Sequence, residues 1–304
     1  MTDLRVVGYY PLPAFVAADK KGLFAREELT VSFEIATFAP EHNRGMAEGR
    51  WDISITSPDT MIARATRDGH DFVIYLMAEK GLQVKLVGAR EIKSPADLKG
   101  KRLAGDPGDS NYDLHRRKIL RDSGVRESEY EVEIIGTSPF RLDALRKGKV
   151  SACMVAPPYD AQALSEGFNL LAKASDHIPD YVTTAVWARR AWVDENRDKM
   201  IRFVRAFIEG SDWAQKAENR REALELLQNY QQKISREQAE VKLDQMIAKA
   251  KIDPADISRV VQLRIEMGLY DPPYDPIERF YDATIWSEVT GLPPPAPFGP
   301  PRPI

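Results

Sequence analysis

The chain is poor in the residues that thiol, disulfide and metal chemistry need. One cysteine, Cys153, stands among 304 residues, so no internal disulfide can form and a cysteine-based zinc site is excluded. The four histidines, His42, His70, His115 and His177, follow no ligand spacing and no HExxH occurs, so neither a metal site nor any other cofactor is expected. There is no GxSxG, and the glycine-rich GDPGDS lacks the lysine and spacing of a P-loop, which disfavours those nucleophile and phosphate-cradle designs. An excess of one charge is also missing. With 43 Lys and Arg against 46 Asp and Glu, the net charge is -3 and no long basic run exists, so no nucleic-acid partner is expected. No apolar run approaches the 18 or more residues of a membrane span. The start MTDLRVVGYYP has no basic region followed by an apolar core. A periplasmic location is therefore expected if a signal segment has been removed, and a cytoplasmic one otherwise.

What is present fits an ordinary globular chain. A hydrophobic share of 43% with 29% charged residues is normal for soluble domains, and the length suits two lobes of roughly 100–200 residues. Leu4 to Tyr9 reads as a buried strand ending at Tyr10-Pro11, and a helix over Ala14 to Lys21 follows. Leu29 to Thr37, Trp51 to Thr56 and Phe72 to Met77 read as further strands, separated by helices that begin near Pro40 and after Ser57-Pro58-Asp59. Such alternation predicts a parallel sheet with helices on both faces. Val84 to Ala89 adds one more strand, and a second βα series runs from Lys93 through Val182 to Trp187.

After Trp187 the pattern is helical. Met200, Phe203, Val204, Phe207 and Ile208 form one apolar stripe over Asp194 to Lys216, and further helices are expected over 222–230, 236–249 and 254–267. With no sheet of their own, these helices should return to the first one. The fold expected is α/β, with a first lobe of residues 1–88 and 188–304 and an inserted lobe of 89–187. The proline-rich tail GLPPPAPFGPPRPI cannot be helical and should lie extended on the surface.

One stretch ties strand, turn and helix together. Leu103 to Gly105 ends a strand, Asp106-Pro107-Gly108 makes a turn, and Asp109 or Ser110 caps a helix whose Leu114, Ile119 and Leu120 share a face. In open α/β sheets ligands sit at such carboxyl ends, against free N–H groups of helix starts.

The ordered set YYPLPAFVAADKKGLF, MAEGRWDISITSPD, IKSPADLKGKRLAGDPGDSNYDLHRRKIL and LDALRKGKVSACMVAPPYDAQAL resembles the nitrate, sulfonate and thiamine-precursor group of ABC-transporter substrate-binding proteins, over about residues 4 to 215. The resemblance implies a periplasmic-binding-protein type II fold, two lobes with flanking helices closing by a hinge on a small molecule, and an ABC permease as partner. A monomer is expected, with a dimer left open. Carried over position by position, the ligand loops are Tyr10-Pro11, Phe38, Ser57 to Asp59, Met77, Asp106 to Asn111, Thr137-Ser138 and Ala156-Pro157. Cytoplasmic enzymes similar to these binding proteins, sulfinate desulfinases and pyrimidine synthases among them, rely on cleft cysteines or histidines. Here His42 and Asp59 would have to serve as catalytic groups.

Charge and aromaticity narrow the ligand. Asp59, Asp106 and Asp109 would gather at the site, with only Arg44, Arg141 and His42 as candidate cations, so a neutral or cationic ligand is expected over a strongly anionic one. Helix-start N–H groups could still hold a nitrate or sulfonate. The simpler reading makes the aspartates helix caps. Tyr10 and Phe38 could stack on a planar ring. His42 could donate a proton or be an exposed helix histidine. Ser57, Ser110, Asn111, Ser138, Met77, Pro11 and Pro157 complete the expected lining. Cys153, between Ala152 and Met154, suits a buried strand position.

Overall fold

The structure, a computed structural model, describes residues 2–106, 110–231 and 234–301. The turn Pro107-Gly108 and the candidate Asp109 lie outside the described residues. Among the described residues, ten strands form two five-stranded sheets. The strands are β1 (Thr2–Gly8), β2 (Leu29–Ile35), β3 (Ile53–Thr56), β4 (Phe72–Lys80), β5 (Lys85–Gly88), β6 (Arg102–Gly105), β7 (Glu131–Ile134), β8 (Ala152–Val155), β9 (Asn169–Lys173) and β10 (Val182–Arg189). The first sheet has the order β2-β1-β3-β10-β4 and the second β7-β6-β8-β5-β9.

Neither sheet is purely parallel, as the strict alternation predicted. β10 runs antiparallel to β3 and β4, and β5 runs antiparallel to β8 and β9. These two strands also sit in the sheets opposite to those expected. β5 follows β4 in sequence but belongs with the second sheet, while β10 ends the second βα series but inserts between β3 and β4. The chain accordingly divides into one unit of residues up to Lys80, Val182–Gln262 and Pro272 onward, and another of Gly81–Tyr181 with Leu263–Asp271. The expected changeovers at residues 88 and 187 thus move to 80 and 181, and 263–271 leaves the first unit. The physical reason is that an apolar strand buried on both faces carries no sign of its pairing partner. Only the register, Trp187 opposite Ser54 and Val87 opposite Cys153, decides it.

In the first unit the stripe of helix Arg197–Gln215 buries Met200, Phe203, Val204 and Phe207 against Val6, Ile53 and Val73 of the sheet, together with Trp286. This helix is separated from Arg190–Glu195 by Asn196, whose φ of -128 breaks the run. Likewise, helix Arg236–Asp244 stops short of the expected 249, and Lys249 takes a φ of 54. Among its described residues the tail has no regular element. It is tied to the turn Ile277–Phe280, with Phe298 N and Gly299 N donating to Glu278 Oε1 and Ile277 N to the Gly299 carbonyl. The second unit packs Val87, Ala104, Leu142, Leu145, Cys153, Val155 and Ala163 into its core.

Helix Arg197–Gln215 crosses helix Pro13–Lys20 at a glycine. A Cβ on Gly210 would lie 2.4 Å from the Ala14 carbonyl oxygen and 2.9 Å from the Ala18 nitrogen, backbone atoms that cannot turn away. Gly210→Ala should therefore destabilise the first unit by about 1–3 kcal/mol through overpacking, outweighing the gain of up to about 1 kcal/mol in helix propensity. Urea unfolding monitored by tryptophan fluorescence checks this, and an unchanged or higher midpoint would show that the helices can separate freely.

Candidate functional site

In the first unit, the carboxyl ends of β1, β3 and β4 and the amino end of the antiparallel β10 lie along one sheet edge. Thr184 faces Glu79 across the β10–β4 ladder. Both groups meet Tyr10, which leaves β1 at the same edge: Tyr10 Oη donates to Glu79 Oε2 at 2.8 Å, and Thr184 Oγ1 reaches the same oxygen at 3.0 Å. One face of the Tyr10 ring carries the Lys242 ammonium, 3.1 Å from its centroid. Burial lowers the Lys242 pKa, and the Glu79 charge opposes that shift. Tyr10 is thus half-buried and engaged at both its hydroxyl and one ring face.

The other expected residues of this edge divide. Ser57 caps helix Pro58–Arg67 by accepting from Asp59 N at 3.2 Å, a role the simpler reading gave to aspartate. Asp59 is fully buried in the first turn, where the helix dipole favours a carboxylate. Phe38 is 61% exposed at the start of helix Ala39–Glu48, and Pro11 is buried.

Met77 does not end its strand. β4 runs on to Lys80, and Met77 is a core residue whose Sδ accepts from Asp253 N at 3.3 Å. The edge position belongs to Glu79, two residues further, because alternation sends every second side chain the same way.

His42 is neither exposed nor placed to exchange protons with solvent. It is 1% exposed, with Nε2 2.9 Å from Ser54 Oγ, which lies 3.0 Å from Thr56 Oγ1, itself accepting from Trp187 Nε1 at 2.9 Å. Trp51 stacks on the ring and Trp187 meets it edge-on. Burial lowers its pKa to about 4, so His42 is neutral near pH 7 and belongs to a buried polar chain.

The second unit ends its parallel strands in the same way. Ser110 caps helix Asn111–Asp122 by accepting from Asp113 N at 3.1 Å, with Asn111 half-buried at the helix start. Asp106 is no cap: it pairs with Arg141, whose Nη1 donates to Oδ2 at 2.7 Å. Burial pushes the Asp106 pKa up and the guanidinium pulls it back. Arg141 is 2% exposed and lies 4.6 Å from the Tyr112 ring centroid. Ser138 Oγ accepts from Ala156 N at 3.2 Å, which fixes the loop that leads to the half-buried Pro157. Phe140, in the first turn of helix Ser138–Arg146, is exposed.

Two groups of this edge escaped the sequence reading. Glu79 could have been noticed as a charged residue closing an apolar strand. Lys242, on a helix 232 positions from Tyr10, gave no such signal. Of the expected cations, Arg44 is exposed, Arg141 is matched by Asp106 and His42 is neutral. Cys153 lies in the core with its thiol pushed up to about 12, where a thiolate nucleophile cannot form near neutral pH. Among the described residues, no three His, Cys, Asp or Glu side chains gather as a metal site.

Similarity to known proteins agrees with this architecture. A Brucella abortus protein named for binding alone, with no ligand in its name, is 24% identical over 212 residues, 68% of this chain and 65% of its own length. The match thus spans just under two thirds of that relative. The solved periplasmic aliphatic sulphonate binding protein SsuA of Escherichia coli has a TM-score of 0.71 at 19% identity, covering 96% of this chain and 100% of its own. A solved desulfurization enzyme, DszB, has a TM-score of 0.68 at 11% identity, covering 96% of this chain and 99% of its own. The fold is therefore that of the periplasmic binding proteins, and binders and at least one enzyme share it. Residues 4–228 match the NMT1-like family, a stretch that runs through both sheets and the long helix packed on the first, and the chain belongs to that family.

Proposed function

We propose that this chain is a solute-binding protein of ABC-type uptake that closes on a small, planar or heteroaromatic ligand, neutral or cationic. The observation that carries the reading is where its reactive groups lie. The one thiol and His42 are locked in cores, while the exposed Phe38 and the half-buried Tyr10, Ser110 and Asn111 near the strand ends offer aromatic, hydroxyl and amide groups suited to holding a molecule unchanged. The family match and the names of relatives support binding over turnover. Phe38, Tyr10, Ser57 and Asp59 would serve from the first unit, and Asp106, Ser110, Asn111, Ser138 and Pro157 from the second. An ABC permease is the partner this role implies, and the periplasm is its location.

Phe38→Ala and Asn111→Ala alter accessible side chains with little expected effect on folding. In titration calorimetry with planar N-heterocycles, each should weaken the same ligand roughly tenfold, about 1.4 kcal/mol. Tight binding of nitrate or alkanesulfonates with no heteroaromatic binding would overturn the ligand class. An unchanged affinity in either variant would overturn that residue's place in the lining.

A further inference from the structure

The carboxyl edge of the first sheet holds an acceptor that lacks a donor. Glu79 is 1% exposed, and its Oε2 takes both neighbouring hydroxyls, from Tyr10 and Thr184. Its Oε1 is equally buried and has no hydrogen-bond partner. Buried carboxyl oxygens are rarely left so, because desolvation is then uncompensated. Beside it, the contacts of the Lys242 ammonium among the described residues are the Tyr10 ring and, at longer range, the Glu79 charge. An aromatic face next to a carboxylate is a cation-binding arrangement, and here the chain supplies its own cation.

We propose that this corner selects ligands by an N–H donor. A protonated amine, an amidine or a ring N–H would take Glu79 Oε1 and the Tyr10 face, the place where Lys242 stands in. What the corner lacks is a donor for Oε1, to which neither Lys242 nor any other described group donates a hydrogen bond. Nitrate or a sulfonate brings acceptors alone and would set negative oxygens against Glu79, a built-in discrimination. This inference rests on the binding-protein reading and names the chemistry of one part of its ligand.

The test is calorimetry on the full chain with benzamidine, 2-aminopyridine, nitrate and ethanesulfonate. Glu79→Gln keeps size and an oxygen for the two hydroxyls but turns an amide N–H toward the ligand donor. It should weaken benzamidine or 2-aminopyridine by about 30-fold or more, with a melting temperature no lower than the wild type. Lys242→Met removes the competing cation and should strengthen the same probes several-fold. If the amidine or aminopyridine binds and Glu79→Gln leaves it unchanged, the inference fails while the binding reading stands. It fails in the same way if the anions bind and Lys242→Met abolishes their binding. Should Glu79→Gln fail to fold, Lys242→Met decides alone, a gain supporting the inference and a loss overturning it. No binding of any probe would count against both.

Discussion

Arg141→Ala is expected to lower the stability of the second unit by about 3–5 kcal/mol, the range for breaking a buried ion pair from one side. The guanidinium is 2% exposed, donates to Asp106 at 2.7 Å, reaches Ser138 Oγ at 3.5 Å and lies on the Tyr112 ring. Removing it leaves a mostly buried carboxyl whose pKa burial already pushes up, so the charge must be neutralised or the loop must open. Arg141→Lys keeps the charge but loses the planar fork, and should fall between alanine and the wild type. The double variant Asp106→Ala with Arg141→Ala should be less destabilised than the sum of the two single ones, since no orphaned charge remains. Thermal unfolding of the wild type and these variants, with Asp106→Ala alone to close the cycle, checks this, and strict additivity would show that the pair is not coupled.

Acid should destabilise both units through buried imidazoles. His115 is 1% exposed, neither ring nitrogen has a hydrogen-bond partner, and its ring meets Tyr181 edge-on. Burial lowers its pKa from 6.5 to about 3, and that of His42 to about 4. Both folded-state values lie below the unfolded one, so the unfolded chain binds the extra proton first. Stability from these groups is intact above pH 6.5 and is lost as pH falls, levelling off near pH 3 for His115 and near pH 4 for His42. At about 1.4 kcal/mol per pH unit for each group, His115 alone should remove about 3 kcal/mol between pH 6.5 and pH 4. His115→Leu should be neutral or stabilising at pH 7, because an unpartnered ring gives way to an apolar side chain, and clearly more stable than the wild type at pH 4. Equal pH dependence in the two proteins would show that the imidazole is hydrated in the native state.

Local structure was legible in the sequence, whereas partners far apart in the chain were not. Strands announced themselves as short β-branched runs, and the stripe from Met200 to Ile208 fixed a face of the long helix and its return to the first sheet. The exchange of β5 and β10 between sheets left no mark, because both strands are largely buried on both faces and strand pairing is a long-range fact. At the candidate site, the helix starts at Ser57 and Ser110 were readable from turn chemistry. By contrast, Asp106 and Arg141 are 35 positions apart, and their pairing turns a suspected cap into an ion pair. His42 failed for a related reason. Its place in a first helical turn suggests exposure, but Trp51 and Trp187 come from other elements to bury it.

The central claim is that the chain holds its ligand without changing it. The full chain should first be screened by thermal shift against planar N-heterocycles, amidines, nitrate and alkanesulfonates, since a ligand that binds only the native state raises the melting temperature by mass action. The most stabilising compound is then incubated at equimolar concentration with the protein, released by denaturation and analysed by mass spectrometry over time. For a binding protein, the compound should return at its original mass and in full amount after hours. Its steady conversion to a product by the wild-type protein, absent with a heat-inactivated sample, would contradict the claim and make the chain an enzyme.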